Sequence, residues 1–366
     1  MKKLFLRLTG SLFIAGYLVI FGACASQSSD QPVAKNIIFL IGDGMGLPQM
    51  YAARTVNGGP LALEEVTHVG LHTTHSANRY ITDSGAAGTA LACGAKTNNG
   101  AIGVDTSLND LVSILKYAEA QGMATGLVSS SAITHATPAA FIANEASRND
   151  YEAIAADFLK TDIDLFIGGG LNHFTKREDG MDLTKDLMAN GYTIATSVEE
   201  FLAHTSGKLA ALTAPEHNPR MLDGRGDMLP AATKKAIELL SQQENGFFVM
   251  IEGSMIDWGG HANDQEYVLT ETIDFNETIK VALDFAKKDG ETLVVITGDH
   301  ETGGMVVIKG DPVNKTVETA FTTGGHTGTL IPVYSYGPGA ELFTGIFDNT
   351  DFKQKFIDAL GVGEAK

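Results

Sequence analysis

An α/β fold, doubly wound about a mostly parallel central sheet with helices on both faces and a small insertion, is predicted by three features of the sequence. Short apolar runs rich in Val, Ile and Phe alternate with helical stretches along the chain. The runs are continuous rather than alternating, as expected of parallel strands covered on both faces. Acids and histidines follow the ends of several runs, where folds of this class bind ligands.

The chain opens on an address rather than a fold. Lys2, Lys3 and Arg7 make a basic start, Leu8–Gly22 is mostly apolar, and Ala23-Cys24-Ala25 supplies small residues before the polar run Ser26–Gln31. Residues 1–23 are predicted to be a secretory signal peptide, too short to span a bilayer, so the protein is exported, to the periplasm or the membrane surface. Cys24 fits the lipidated cysteine of a bacterial lipoprotein, with cleavage after Ala25 as the alternative. Residues 24–35 are expected to form a polar linker and 36–366 a single domain, with an insertion at about 170–230. With Cys24 lipidated or removed, Cys93 stands alone and no intrachain disulfide is available.

Composition limits the function. Hydrophobic residues at 44% and charged residues at 19% suit a large packed core. A formal charge of −18 argues against nucleic acid as a specific partner. Forty-one glycines imply many tight turns and close backbone approaches.

The strand candidates are Asn36–Ile41, Ala124–Val128, Asp164–Ile167, Phe247–Ile251, Thr292–Thr297 and Leu330–Tyr336. Helices fit over Leu108–Ala120, Tyr151–Leu159, Ala231–Gln242 and Tyr267–Lys288. The first strand leads into Gly42-Asp43-Gly44, the fourth into Glu252 and then Asp257-Trp258-Gly259-Gly260-His261, and the fifth into Asp299-His300. His326 precedes the last strand candidate. Each motif alone also suits an ordinary turn. Together they put four carboxylates and three imidazoles on one sheet edge, where buried charge calls for a metal counter-ion. His68, His72 and His75 read instead as surface or strand histidines.

Thr82-Asp83-Ser84-Gly85-Ala86-Ala87-Gly88 begins with helix-cap residues and continues with little side-chain bulk. It suits an ordinary cap, or a serine nucleophile at a helix N-terminus that favours an anion. Arg148 has the fork geometry to hold two phosphate oxygens.

On these motifs the chain resembles bacterial alkaline phosphatases from about Lys35 to Tyr336. The resemblance implies hydrolysis of small-molecule phosphate monoesters through a phosphoserine at Ser84, with Arg148 holding the phosphate. It implies two Zn2+ and one Mg2+: Asp257, His261 and His326 on the first zinc, and Asp299 and His300 on the second. Asp43 would bridge the second zinc and the magnesium, with Thr137 and Glu252 completing the magnesium site. Asp83 belongs to the nucleophile motif. Many members carry Asp at His135 and Lys at Trp258, so the third site is expected to hold Mg2+ weakly or to take Zn2+ or Co2+. The resemblance also implies a homodimer, with a small interface crown between His300 and His326.

Superfamily relatives are the nearest alternatives. The chain lacks a sulfatase's Cys or Ser followed by x-Pro-x-Arg, and it has no room for the inserted domain of a metal-dependent mutase. A phosphodiesterase would usually carry Thr for Ser84 and lack Arg148. A phosphate- or metal-binding surface lipoprotein without turnover is the alternative from another class.

Overall fold

The computed structural model describes residues 33–361, so the signal segment 1–23 and Cys24 lie outside the described residues. The strands in chain order are β1 (Asn36–Gly42), β2 (His68–Thr73), β3 (Ala124–Ala132), β4 (Leu165–Gly169), β5 (Thr193–Ala195), β6 (Leu209–Leu212) and β7 (Phe247–Gly253). They continue as β8 (Thr292–Gly298), β9 (Glu301–Thr302), β10 (Met305–Asp311), β11 (Thr316–Phe321), β12 (His326–Thr327), β13 (Ile331–Tyr336) and β14 (Gly345–Asp348). Ten of them build one sheet in the order β14-β2-β13-β8-β1-β7-β3-β4-β6-β5.

Every neighbouring pair in that sheet is parallel except the two made by β13. The apolar run Leu330–Tyr336 was expected to be parallel like the rest and is a correction. The chain leaves β8 at its carboxyl end, makes the short β9–β12 excursion and returns as β13 without a crossover helix, so β13 runs antiparallel.

The central strands are buried at every position, and their apolar residues divide between two cores, one on each face. Ile37, Phe39 and Ile41 of β1 join one cluster, and Ile38 and Leu40 join the other. Phe39 stacks on Phe352 at 5.5 Å and meets Phe356 edge-on at 5.0 Å, tying the C-terminal helix Asp351–Ala359 to the sheet. On the opposite face the helix Gln265–Asp289 packs, capped by Asp264 at its start and by Gly290 in the left-handed conformation at its end.

One local expectation fails. The helix expected over Leu108–Ala120 begins only at Ile114, where the Ser113 hydroxyl accepts from Lys116 N. Leu108, at φ 65°, belongs to a turn before it. His72 meets the strand alternative: it lies in β2, fully buried, with Nε2 3.1 Å from Thr297 Oγ1 and 3.0 Å from the Gly298 carbonyl. Burial lowers its pKa to about 4, so it is a neutral core histidine.

Residues 170–230 contribute β5 and β6, which pair in parallel beyond β4 at one edge of the sheet. Among the described residues no helix is long and apolar enough to cross a membrane.

The end of this segment is anchored by Arg225, whose Nη2 lies 2.5 Å from Glu271 Oε2 and 2.7 Å from Asp274 Oδ2, with all three side chains buried. Removing one member of such a cluster strands the others. Arg225→Met is expected to cost about 3–5 kcal/mol, read as a lowered urea midpoint at constant slope; an unchanged midpoint would refute the anchoring role.

Candidate active site

Strand register builds the site. Gly42 of β1 is level with Gly253 of β7 and Gly298 of β8, and Glu252 is level with Ser129 of β3. Asp43, Glu252 and Asp299 therefore emerge side by side at one edge. Gly44 follows with φ 74°, and a Cβ there would lie 2.7 Å from Asp257 Cα, so only glycine allows the close approach that closes the cluster. The Gly44 amide donates to Asp299 Oδ1 at 3.1 Å.

Three groups of side chains converge. Asp43, Asp299 and His300 present ligand atoms within 4.8 Å of one another; so do Asp257, His261 and His326, and so do Asp43, His135 and Glu252. Asp257 and His261 share one face of the short helix Met255–His261 despite its two glycines, with His261 Nε2 3.4 Å from Asp257 Oδ2. His326 joins the Asp257–His261 pair from β12, its Nε2 3.4 Å from Asp257 Oδ1 and its ring stacked on His300 at 3.6 Å. The β10–β11 hairpin fills the chain between these two histidines.

The electrostatics of this arrangement are severe. Both oxygens of Asp43, Asp299 Oδ2, Glu252 Oε1 and Thr137 Oγ1 are buried without a hydrogen-bond partner. Burial, reinforced by Asp299 and Asp257, drives the Asp43 pKa well above its usual range. Burial and Asp257 push Asp299 up to about 7. Burial would also raise Asp257, but the His326 hydrogen bond and the nearby imidazoles bring it well below its usual value. Such oxygens are costly unless a cation neutralises them, and His300 and His326 add the nitrogen donors zinc favours. The donor set therefore fits divalent metals, with oxygen donors predominating at the Asp43–Thr137–Glu252 group.

The Ser84–Cys93 helix points its first turn at this cluster. Asp83 caps it, accepting from Ala86 N at 3.0 Å, and all ten helix residues are buried. Small residues are needed because a Cβ on Gly88 would stand 3.1 Å from Ala140 Cβ and 3.4 Å from Thr137 Cα. Ser84 Oγ lies 3.2 Å from His300 Nε2. The second oxygen of Asp83 accepts from Gly100 N and from Arg148 Nη1, both at 3.0 Å, which turns the arginine toward the serine's helix.

Family-level comparison agrees with this geometry. The family model for alkaline phosphatase matches residues 34–311. The chain belongs to the alkaline phosphatase family. It is 33% identical to alkaline phosphatase 4 of Bacillus subtilis, covering 98% of this chain and 95% of that one. The solved alkaline phosphatase of the Antarctic bacterium TAB5 is 41% identical, covers 91% of this chain and all of its own, and superposes with a TM-score of 0.86. A His-to-Asp mutant of that enzyme, solved with Mg bound in its M3 site, matches equally well. The fold expected from sequence is thus the family's, and the protein is a phosphatase that uses divalent metals.

Other residues around the site were invisible in the sequence. Ser129 and Ser254 hydroxyls donate to Glu252 Oε2 at 2.7 and 2.6 Å. The Thr302 hydroxyl donates to Asp257 Oδ1. His217, from residues 170–230, packs edge-on to Trp258 at 4.7 Å and to His135 at 5.6 Å. The Ser129-Ser130-Ser131 run at the end of β3 was the only local signal for any of them.

Because cations bind only the assembled carboxylates, they should stabilise the native state by about 3–4 kcal/mol when present at 100 to 1,000 times their dissociation constants. Chelation with verified metal loss is expected to lower the melting temperature; an unmoved melting curve would contradict the fit of this site to metal.

Proposed function

We propose that the protein hydrolyses phosphate monoesters through a phosphoserine at Ser84. The proposed zinc ligands are Asp257, His261 and His326 for one ion and Asp43, Asp299 and His300 for the other. Asp43, Thr137 and Glu252 would hold a third dication beside His135. The observation that carries the reading is the approach of Ser84 Oγ to His300 Nε2 at the start of a buried helix whose cap, Asp83, tethers Arg148.

Zinc bound there supplies Lewis acidity that lowers the serine hydroxyl's pKa and stabilises charge on the departing oxygen. Ser84 Oγ then forms a bond to phosphorus as the ester O–P bond breaks and the alcohol leaves. Water displaces Ser84 in the second step, returning the hydroxyl and releasing inorganic phosphate. Arg148 orients the non-bridging oxygens through its planar fork, and Asp83 keeps that fork from swinging into solvent. Free N–H groups at the helix start favour the anion.

His135 is the residue that separates this site from relatives with Asp there. Burial, then Arg148 and His217, lower its pKa to about 3, so it is a neutral imidazole at working pH. Its Nε2 lies 3.4 Å from Arg148 Nη2. A neutral nitrogen donor cannot accept hydrogen bonds from two magnesium-bound waters, as a carboxylate can, and it biases the third site toward zinc or cobalt.

Two experiments test these assignments. Ser84→Ala is expected to abolish the acid-stable phosphoenzyme and to cut turnover of an aryl phosphate by on the order of 10³-fold or more. Labelled phosphate trapped on any other residue would overturn the nucleophile. His135→Asp is expected to tighten magnesium roughly tenfold, the scale on which neighbours of metal ligands act, as read by calorimetric titration at fixed zinc. Equal magnesium affinity in parent and variant would remove His135 from any role at the third site.

A further inference from the structure

We propose that His217 is a positioning residue that fixes Trp258 and His135 against the phosphate-binding arginine; this rests on the proposed role of Arg148. His217 lies in the loop after β6, in a segment whose sequence carries no metal or nucleophile motif. Its Nδ1 accepts from Ala132 N at 3.1 Å, at the carboxyl end of β3. That bond fixes the ring's orientation and leaves its hydrogen on Nε2. The ring edge then meets Trp258 at an interplanar angle of 81° and His135 at 85°, and Trp258 in turn meets His135 at 5.8 Å and 89°. Three rings thus pack mutually edge to face, a geometry favoured by their quadrupoles. His135, in that cluster, is the ring that touches Arg148.

The loop is held so that His217 cannot drift. Thr213 N donates to the Gly168 carbonyl at 2.8 Å, and Gly170 N donates to the Ala214 carbonyl at 3.0 Å. A Cβ on Gly169 would collide with the Glu216 carbonyl at 2.1 Å, so loop and β4 are in direct backbone contact. The neighbouring Glu216 carboxylate lies 2.8 Å from His173 Nε2, and His173 Nδ1 lies 2.6 Å from Thr134 Oγ1. Thr134 immediately precedes His135. One loop therefore grips the His135 turn at two points: through His217 on Ala132, and through Glu216 and His173 on Thr134.

Rigid support for a group that orients others is what an anion site needs, because a loosely held shell loses affinity before it loses structure. The hydrogen bond and ring contacts of His217 go to Ala132, Trp258 and His135, not to Ser84 or the proposed zinc ligands. Its loss is therefore expected to weaken phosphate binding more than it slows the chemical step.

Trp258 is the only tryptophan in the chain, so its emission reports directly on this cluster. The experiment compares the metal-loaded parent with His217→Ala, His217→Asn and His217→Phe. Asn keeps an acceptor for Ala132 N without the ring, and Phe keeps a ring edge without the acceptor. Each is measured for Trp258 emission and anisotropy, for KM and kcat on an aryl phosphate, and for inhibition by inorganic phosphate. His217→Ala is expected to lower Trp258 anisotropy and to raise both KM and the phosphate inhibition constant roughly tenfold, with a smaller change in kcat. Phe should restore the anisotropy, and Asn should restore the melting temperature if Ala lowers it. Unchanged anisotropy and phosphate inhibition in His217→Ala would overturn the proposal, as would equal losses in kcat with KM constant. A parent without phosphatase turnover would instead overturn the functional reading, while the anisotropy arm would still decide whether His217 positions Trp258.

Discussion

Four buried carboxylates, Asp43, Glu252, Asp257 and Asp299, meet at one sheet edge, and most of the surrounding structure exists to make that tolerable. Left alone, like charges at this range in a low-dielectric interior repel strongly and force some of the groups to stay protonated. The upward pressure on Asp43 and Asp299 is that repulsion together with desolvation. Four imidazoles, the Arg148 guanidinium, the Gly44 amide and the Ser129 and Ser254 hydroxyls answer part of it. Divalent cations, which the donor set fits, would answer the remainder and would stabilise the fold in doing so.

The sheet supplies the precision this requires. β8, β1 and β7 are in parallel register to the last residue, so Gly298, Gly42 and Gly253 stand level and the following residues share one plane. A parallel arrangement brings several strand ends to the same edge, which an up-and-down antiparallel meander of the same strands would not do. Both faces of β1 are buried in large cores, so shifting that register by one residue would put Phe39 and Ile41 into the core built for Ile38 and Leu40, and the reverse. Core packing and site geometry are enforced by the same constraint.

This explains which parts were legible in sequence. The buried strands β1, β3, β4, β7 and β8 carry continuous apolar runs, and the acids directly after them are conspicuous for that reason. Asp43, Asp299, His300 and Asp257 could be singled out because their chemistry sits in sequence beside a strong structural signal. β5 and β6 are short, β9 and β12 have two residues each, and the β10–β11 hairpin is largely exposed, so none leaves a pattern that separates it from loop. The direction of β13 was illegible because an apolar run does not encode its sense; the short return from β8 does. His217, His173 and Glu216 were missed for a different reason. Their relation to Thr134 and Ala132 spans more than thirty residues of sequence and exists only after β6 pairs with β4.

The same long-range geometry gives the His135–Trp258 combination a physical reading. Where relatives carry Asp and Lys at these positions, the pair contributes one negative and one positive charge; here it contributes two neutral rings. The net charge near Arg148 is the same in both cases, so the carboxylate–metal balance does not have to be rebuilt. What changes is the means of holding the site. Asp and Lys can position waters through charge, whereas His135 and Trp258 position each other through ring packing, with His217 as the third ring. A single exchange breaks that balance, since Asp at 135 alone would add another carboxylate beside Asp43 with only Arg148 to face it. Packing is also less tolerant of slack than charge, because edge-to-face contacts fall away within an ångström or so while Coulomb attraction does not. A site built on three rings must therefore be braced by backbone, and the doubly gripped loop from Thr213 to Asn218 is that brace.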